Sequence, residues 1–205
     1  MKNETIELIL SELVSGCRSK EEAVVRVFER VRDIPYGTIG SRHPLDVYRM
    51  NRGTCSGKHF LLRELYLALG VEVKDMLCFH RYAELPRNID YPPELKALLE
   101  RYFGIPDFHN FIKVYVDGRW VTLDATFDSP LENYFVVNKW NGKSDTKLSI
   151  RPVRVWEVEN PLEFKVKKIK QLPPRVQRGR ELFLKKFSEW LDVLRAQCNS
   201  PPHFL

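Results

Sequence analysis

Cysteine is scarce in this chain. The four cysteines in 205 residues are Cys17, Cys55, Cys78 and Cys198. Their spacings match no zinc-binding signature. A chain of this length can bury a hydrophobic core without a disulfide framework or a structural metal. We therefore expect a reducing, cytoplasmic environment for this protein.

Long apolar runs and internal repeats are also missing. The N-terminal stretch Ile6-Glu7-Leu8-Ile9-Leu10 is interrupted by acidic residues, so it is neither a secretory signal core nor a membrane span. We therefore expect no membrane partner. With 43% hydrophobic and 29% charged residues, the composition is typical of a soluble globular chain with one domain and an appendage.

Positive charge is concentrated in one segment. Between Lys165 and Lys186 nine basic residues occur with one acidic residue, a local charge of +8 that exceeds the +6 of the whole chain. Such a run is a weak candidate for nucleic-acid binding. Aromatic residues that would stack on bases are sparse in it. We therefore prefer to interpret the segment as a solvated surface and do not expect a nucleic-acid partner.

Hydrophobic periodicity predicts helices first and strands afterwards. This order is typical of an α+β domain, and Pro173-Pro174 marks a linker before a final amphipathic helix. The predicted helices cover residues 4–16, 19–31, 45–50, 55–69, 94–102 and 176–197. The predicted strands cover residues 71–79, 111–116, 119–123, 134–137 and 153–156.

Cys55 begins the most apolar of these helices, directly after Gly53 and Thr54. The unpaired N–H groups and the macrodipole of a helix N-terminus both favour a thiolate. Cys55 is therefore a candidate nucleophile, which would work with a base and a group that orients the base.

A predicted hairpin supplies candidates for the base and for the group that orients it. Asp117-Gly118 between two β-branched runs is a strong hairpin signal. In a hairpin that turns there, paired residues have numbers that add to about 235, and those of His109 and Asp124 add to 233. Opposed β-carbons lie roughly 5 Å apart. We therefore expect the Asp124 carboxylate to orient the His109 ring beside the thiol.

The segments that carry these residues resemble the core of the transglutaminase-like superfamily. Gly53 to Val73 resembles its nucleophile helix, which opens on a cysteine and ends in a Leu-Gly turn before a strand. His109 to Thr126 resembles its histidine and aspartate strands. The most specific part is Gly118-Arg119-Trp120-Val121 followed by Leu123-Asp124-Ala125-Thr126.

The resemblance implies a papain-like fold within the α+β class. N-terminal helices and the nucleophile helix would pack on an antiparallel sheet, with an amphipathic helix at the C-terminus. The implied catalytic residues are Cys55, His109 and Asp124. The expected domain spans residues 1–164, with a core at about 25–130, and residues 165–205 form a basic segment and helix packed on or appended to it.

The function implied is that of a thiol-dependent amide hydrolase or acyl transferase, of the peptidase, amidase or transglutaminase-like kind. It would need no cofactor and no metal, and would act on a peptide, a protein or a small amide or acyl substrate. Two alternatives stay open. Arg52-Gly53-Thr54-Cys55 is similar to a segment of arylamine N-acetyltransferases, which share the triad order. The chain could also be a non-catalytic binding module. No oligomeric state is predicted.

Several roles remain open at this stage. His59 either modulates the thiol from one turn away or simply packs in the core. Residues 80–108 form either a mobile lid or an ordered insertion. Tyr36 is a candidate for the second oxyanion donor beside the Cys55 amide. Phe111 stands where the family usually has tryptophan, and Cys78 and His80 show no metal-ligand spacing.

Overall fold

The computed structural model describes residues 2–86 and 89–199. Seven α-helices occur in this part of the chain: α1 (Lys2–Leu13), α2 (Lys20–Arg32), α3 (Pro44–Met50), α4 (Cys55–Ala68), α5 (Pro93–Arg101), α6 (Pro161–Lys170) and α7 (Pro174–Asn199). Four strands form one sheet: β1 (Val73–Arg81), β2 (Pro106–Val116), β3 (Arg119–Leu123) and β4 (Arg154–Glu157). Single 3-10 turns occur at Tyr82–Glu84 and Ser129–Leu131.

The sheet is antiparallel throughout, with strand order β3-β2-β1-β4. In the hairpin, Ile112 pairs with Leu123 and Val116 pairs with Arg119, so paired numbers add to the expected 235. The predicted register is therefore confirmed. Because β2 begins at Pro106, His109 lies inside the strand and pairs with Cys78 of β1. The predicted α+β class is confirmed as well.

Two apolar clusters enclose the sheet. In the first, α1, α2 and α4 cover one face, where Ile112 and Val114 of β2 point. In the second, α5 and α7 cover the face that carries Met76, Cys78 and Phe111. Alternate residues of β2 enter different clusters, as the two-residue period of a strand requires. Cys55 belongs to the second cluster although its helix packs in the first, so it lies where the two clusters meet.

One predicted strand is wrong. Residues 134–137 form no strand, and the amide of Phe135 donates to the Leu131 carbonyl in a turn at 2.9 Å. The apolar run that suggested a strand is explained by core packing. The Phe135 ring is buried and stacks on Phe127 with centroids 4.3 Å apart. An irregular loop can present apolar side chains to a core in the same way as a strand does.

The basic segment begins within a helix, α6, that hydrophobic periodicity did not predict. Its interpretation as a solvated surface is wrong for Lys165 and Arg180, which are both buried. Arg180 forms a buried ion pair with Asp107. The last part of the predicted segment, residues 200–205, lies outside the described residues.

The described part of residues 80–108 is packed against the domain. The amides of Tyr82 and Ala83 donate to the carbonyls of Ile105 and Gly104 at 3.1 Å each. The Tyr91 side chain is buried and its hydroxyl donates to the Tyr82 carbonyl at 2.9 Å. These contacts favour an ordered insertion; residues 87 and 88 lie outside the described part.

The close contact between α7 and the end of α5 gives the first prediction. A β-carbon added at Gly179 would lie 2.5 Å from Cγ of Tyr102. Overpacking of this kind costs roughly 1–3 kcal/mol, more than the gain in helix propensity of about 1 kcal/mol. Gly179→Ala should therefore lower the melting temperature. Lys185→Ala, at an exposed position of the same helix, is the control. Equal melting temperatures for the two variants would contradict the packing described.

Candidate active site

The loop before α4 fixes the position of Cys55, the first residue of that helix. The Gly53 amide donates to the Pro35 carbonyl at 3.2 Å, and the Gly37 amide donates to the Gly53 carbonyl at 3.1 Å. A β-carbon at Gly53 would lie 2.9 Å from the Val47 side chain, so glycine lets the loop approach α3 closely. Cys55 therefore starts α4 from a fixed position, with its amide among the unpaired donors of the first turn.

The structure brings Cys55, His109 and Asp124 together. Nε2 of His109 lies 2.9 Å from Oδ2 of Asp124, and both side chains are buried. The thiol of Cys55 lies close enough to the His109 ring for each to shift the pKa of the other. Because Asp124 occupies Nε2, Nδ1 is the ring atom that is left for the sulfur. The order is therefore carboxylate, imidazole, thiol.

The electrostatics of the site favour a charged pair. Burial raises the pKa of the Cys55 thiol, but the attraction of Lys165 and His109 outweighs it and brings that pKa to about 6. Burial likewise opposes the charge of His109, and Asp124 and Cys55 together raise its pKa to about 10. Near neutral pH the pair is therefore thiolate and imidazolium.

Three further donors hold the Asp124 carboxylate. Despite burial, the charge and hydrogen bond of His109 keep the pKa of Asp124 well below its usual range. The amide and hydroxyl of Thr126 donate to Oδ1 at 3.1 and 2.5 Å, and the Ser149 amide donates to Oδ2 at 2.7 Å. The backbone amide of Asp124 in turn donates to the Thr146 hydroxyl at 2.8 Å. The carboxylate thus has a fixed orientation.

His59 is a packed, neutral histidine that links two parts of the site. Its Nε2 accepts from the Ala125 amide at 2.9 Å, so the proton resides on Nδ1, which donates to the Cys55 carbonyl at 2.7 Å. Burial lowers the pKa of His59 to about 4. Of the two roles left open by the sequence, the geometry favours packing, and it ties α4 to the loop after β3.

Lys165 of α6 also reaches the thiol, and sequence reasoning missed it. Its Nζ lies 3.8 Å from Sγ of Cys55 and donates to Ser56 Oγ at 2.8 Å. The Ser56 hydroxyl donates onward to Oδ1 of Asn110 at 2.7 Å, and the backbone N–H of Asn110 helps to lower the pKa of the Cys55 thiol. Within the basic run, the one signal is that Ile169 follows this lysine by four residues, which places an apolar residue on the same face of a helix.

Three further polar side chains near the thiol, those of Cys78, His80 and Tyr36, are neutral. Burial raises the pKa of Cys78, whose Sγ lies 3.7 Å from the His109 carbonyl oxygen. Burial lowers the pKa of His80 to about 3. The Tyr36 hydroxyl lies 3.2 Å from that of Tyr82, and burial together with the charge of Cys55 raises the pKa of Tyr36. Across residues 2–86 and 89–199, no group of three or more His, Cys, Asp or Glu side chains could hold a metal ion.

Taken together, the helix that opens on a buried cysteine and the strands that carry histidine and aspartate define a papain-like cysteine architecture. The model of the transglutaminase-like superfamily matches residues 9–125, more than half of the chain. The chain therefore belongs to the transglutaminase-like superfamily.

A solved structure from Cytophaga hutchinsonii, named "a Putative Cysteine Protease", is similar at 13% identity with a TM-score of 0.46. The match covers 78% of this chain and 44% of that one, so this chain spans less than half of the other's length. At that score the likeness carries no argument about activity. A search of curated proteins found no match. No helix in the described ranges is both long and apolar enough to cross a membrane.

The lowered thiol pKa gives the second prediction. Since only the thiolate is alkylated, the rate of iodoacetamide labelling at Cys55 should rise with pH and reach half of its maximum near pH 6. Cys78, whose pKa is raised, should stay unlabelled in the folded protein. Mass mapping of the alkylated peptides measures both, with Cys55→Ala as control. A midpoint at the ordinary thiol value of about 8.5 would contradict the geometry.

Proposed function

We propose that this protein is a thiol-dependent amide hydrolase or acyl transferase. The observation that carries the proposal is the buried line of Asp124, His109 and Cys55, with a thiol pKa of about 6. A thiolate at neutral pH is the species that attacks a carbonyl carbon, and an imidazolium beside it is an acid for the leaving group. The proposed substrate is a peptide, a protein or a small amide or acyl compound.

The reaction proceeds in two halves. In the first, the Cys55 sulfur bonds to the carbonyl carbon, and the bond from that carbon to the leaving group breaks as His109 Nδ1 gives its proton to the leaving atom. In the second, neutral His109 takes a proton from water or an amine, whose oxygen or nitrogen bonds to the carbonyl carbon. The bond from carbon to sulfur then breaks and the thiolate returns. Asp124 keeps the ring in one tautomer and stabilises the imidazolium.

The developing oxyanion needs donors. The Cys55 amide, at the first position of α4, is one. We propose the Tyr36 hydroxyl as the second. Its raised pKa keeps the phenol protonated beside a thiolate, and a donor must keep its proton.

Trapping of the acyl-enzyme tests the proposal. An activated acetyl ester should add one acetyl group to Cys55, measured by intact-protein and peptide mass spectrometry. Cys55→Ala should take up none. If the native protein forms no acyl-enzyme although its thiol is reactive, the chain is a non-catalytic binding module and the proposal fails.

Partition of the acyl-enzyme separates the activities. Release as acetate marks a hydrolase, and transfer to an alkylamine marks a transglutaminase-like transferase. Exclusive transfer to an arylamine would support the arylamine N-acetyltransferase-like alternative instead.

Substitution of the base and of its partner gives a further prediction. His109→Gln should slow acetylation of Cys55 by about 10²–10⁴-fold, the usual contribution of acid–base catalysis. Asp124→Asn should also slow it, since an amide cannot stabilise an imidazolium as a carboxylate does. Cys17→Ser, outside the site, should leave the rate unchanged. Stopped-flow measurement of ester cleavage gives the rates. Unchanged rates in both site variants would remove His109 and Asp124 from the mechanism.

A further inference from the structure

Lys165 is a buried cation that directly adjoins the sulfur. Lys165 is 3% exposed and Cys55 is 5% exposed. Nζ donates to Ser56 Oγ at 2.8 Å and lies 3.8 Å from Sγ of Cys55. The hydroxyl of Ser56 uses its own proton to bind Asn110, so it can only accept from the ammonium. Of the three donors of Nζ, one is therefore spent on Ser56 and the sulfur is the next polar atom.

A buried ammonium requires a negative partner. Two anions attract Lys165, namely the Cys55 thiolate and the Asp107 carboxylate. Asp107 is directly engaged by Arg180, whose Nε pairs with Oδ1. The anion at hydrogen-bond distance from Nζ is therefore the thiolate. Burial lowers the pKa of Lys165 while both anions raise it, so its charge depends on theirs.

The placement of Lys165 follows from α6. The helix begins at Pro161, packs on β1 and β2, and is fastened to β4 by Phe164 against Trp156, with centroids 5.7 Å apart. Lys165 is on the side turned to the sheet, whereas Val166 and Lys167 are exposed. This helix lies beyond the residues that match the superfamily model, 9–125.

We propose that Lys165 is a fourth catalytic residue, whose ammonium stabilises the Cys55 thiolate in the resting enzyme and the oxyanion that forms when the thiolate attacks. This role rests on the function proposed above. When the carbon–sulfur bond forms, the negative charge moves from sulfur to the carbonyl oxygen of the substrate. A cation beside the sulfur then faces the new charge at once, without rearrangement. Lys165 thus adds a charged donor for the oxyanion to the Cys55 amide, which is a donor because it lies at the first position of α4.

The other charged or titratable groups around Lys165 define what the test must hold constant. Asp107 faces it from β2, and Cys78 and His80 face it from β1. Arg180 approaches from α7, and Arg42 from the loop before α3. Lys165→Met leaves all five in place and removes one positive charge beside the sulfur.

The experiment measures the pKa of the thiol in the full chain, from the pH dependence of iodoacetamide labelling at Cys55. Lys165→Met should raise that pKa, and below about pH 6 each unit of increase slows labelling about tenfold. Lys165→Arg keeps the charge and should retain most of the native reactivity. Lys167→Met, exposed on the same helix, should match the native protein.

The outcomes are decisive in either direction. A higher thiol pKa in Lys165→Met, with Lys165→Arg close to native, supports the proposal. An unchanged pKa, or faster labelling because the lysine merely covered the sulfur, overturns it. If Lys165→Met does not fold, Ser56→Ala gives the second measurement. It frees Nζ from its anchor and should raise the thiol pKa, and an unchanged value there also overturns the proposal.

Because alkylation needs no substrate, this test is independent of the proposed function. A shifted thiol pKa together with absent acylation would leave Lys165 as the group that sets the thiolate, in a protein that is not an acyl transferase. An unshifted pKa together with normal acylation would overturn the role of Lys165 and leave the proposed function standing. For the oxyanion, acetylation of Cys55 at a pH well above the thiol pKa of each variant should still be slower in Lys165→Met. Equal rates there would limit the lysine to the resting thiolate and overturn its second role.

Discussion

The site depends on a line of buried charges that alternate in sign. Asp124 binds His109, His109 attracts the Cys55 thiolate, and the thiolate faces Lys165. Beyond that lysine the order continues through Asp107 to Arg180. Each charge has an opposite neighbour on one or both sides, so these six ionised groups together carry no net charge. Removal of one member would leave its neighbours unpaired in a medium that solvates charge poorly.

The elements of the fold hold this line in place. The β2–β3 hairpin fixes the distance between His109 and Asp124 through its register. The first turn of α4 fixes the sulfur, and His59 ties that turn to the amide that follows Asp124. A second buried lysine, Lys58, donates to the carbonyl of Thr126 at 2.7 Å and to that of Arg32 at 2.8 Å. The first turn of α4 is thus bound to the loop after β3 through both Lys58 and His59. These bonds explain why the two polar side chains are buried.

The sequence predicts the part of this arrangement that depends on short-range geometry. An Asp-Gly turn sets the register of a hairpin, and an apolar run after a glycine loop indicates that a helix begins at Cys55. Lys165 could not be predicted in the same way, because its burial depends on a contact 110 residues away and the residues on either side of it in α6 are exposed or half-buried. The strand predicted at residues 134–137 is wrong for a related reason. The burial of Phe135 comes from stacking on Phe127 and not from pairing in a sheet.

The late position of α6 in the chain has a consequence for synthesis. The thiol of Cys55 emerges from the ribosome more than 100 residues before the lysine that adjoins it. Until that helix has folded onto the sheet, the thiol lacks one of the two cations that lower its pKa. The nascent chain therefore carries a sulfur that is less ionised and slower to oxidise. Full nucleophilicity arises only when the last quarter of the protein has been made, so the order of residues along the chain itself delays the reactive state.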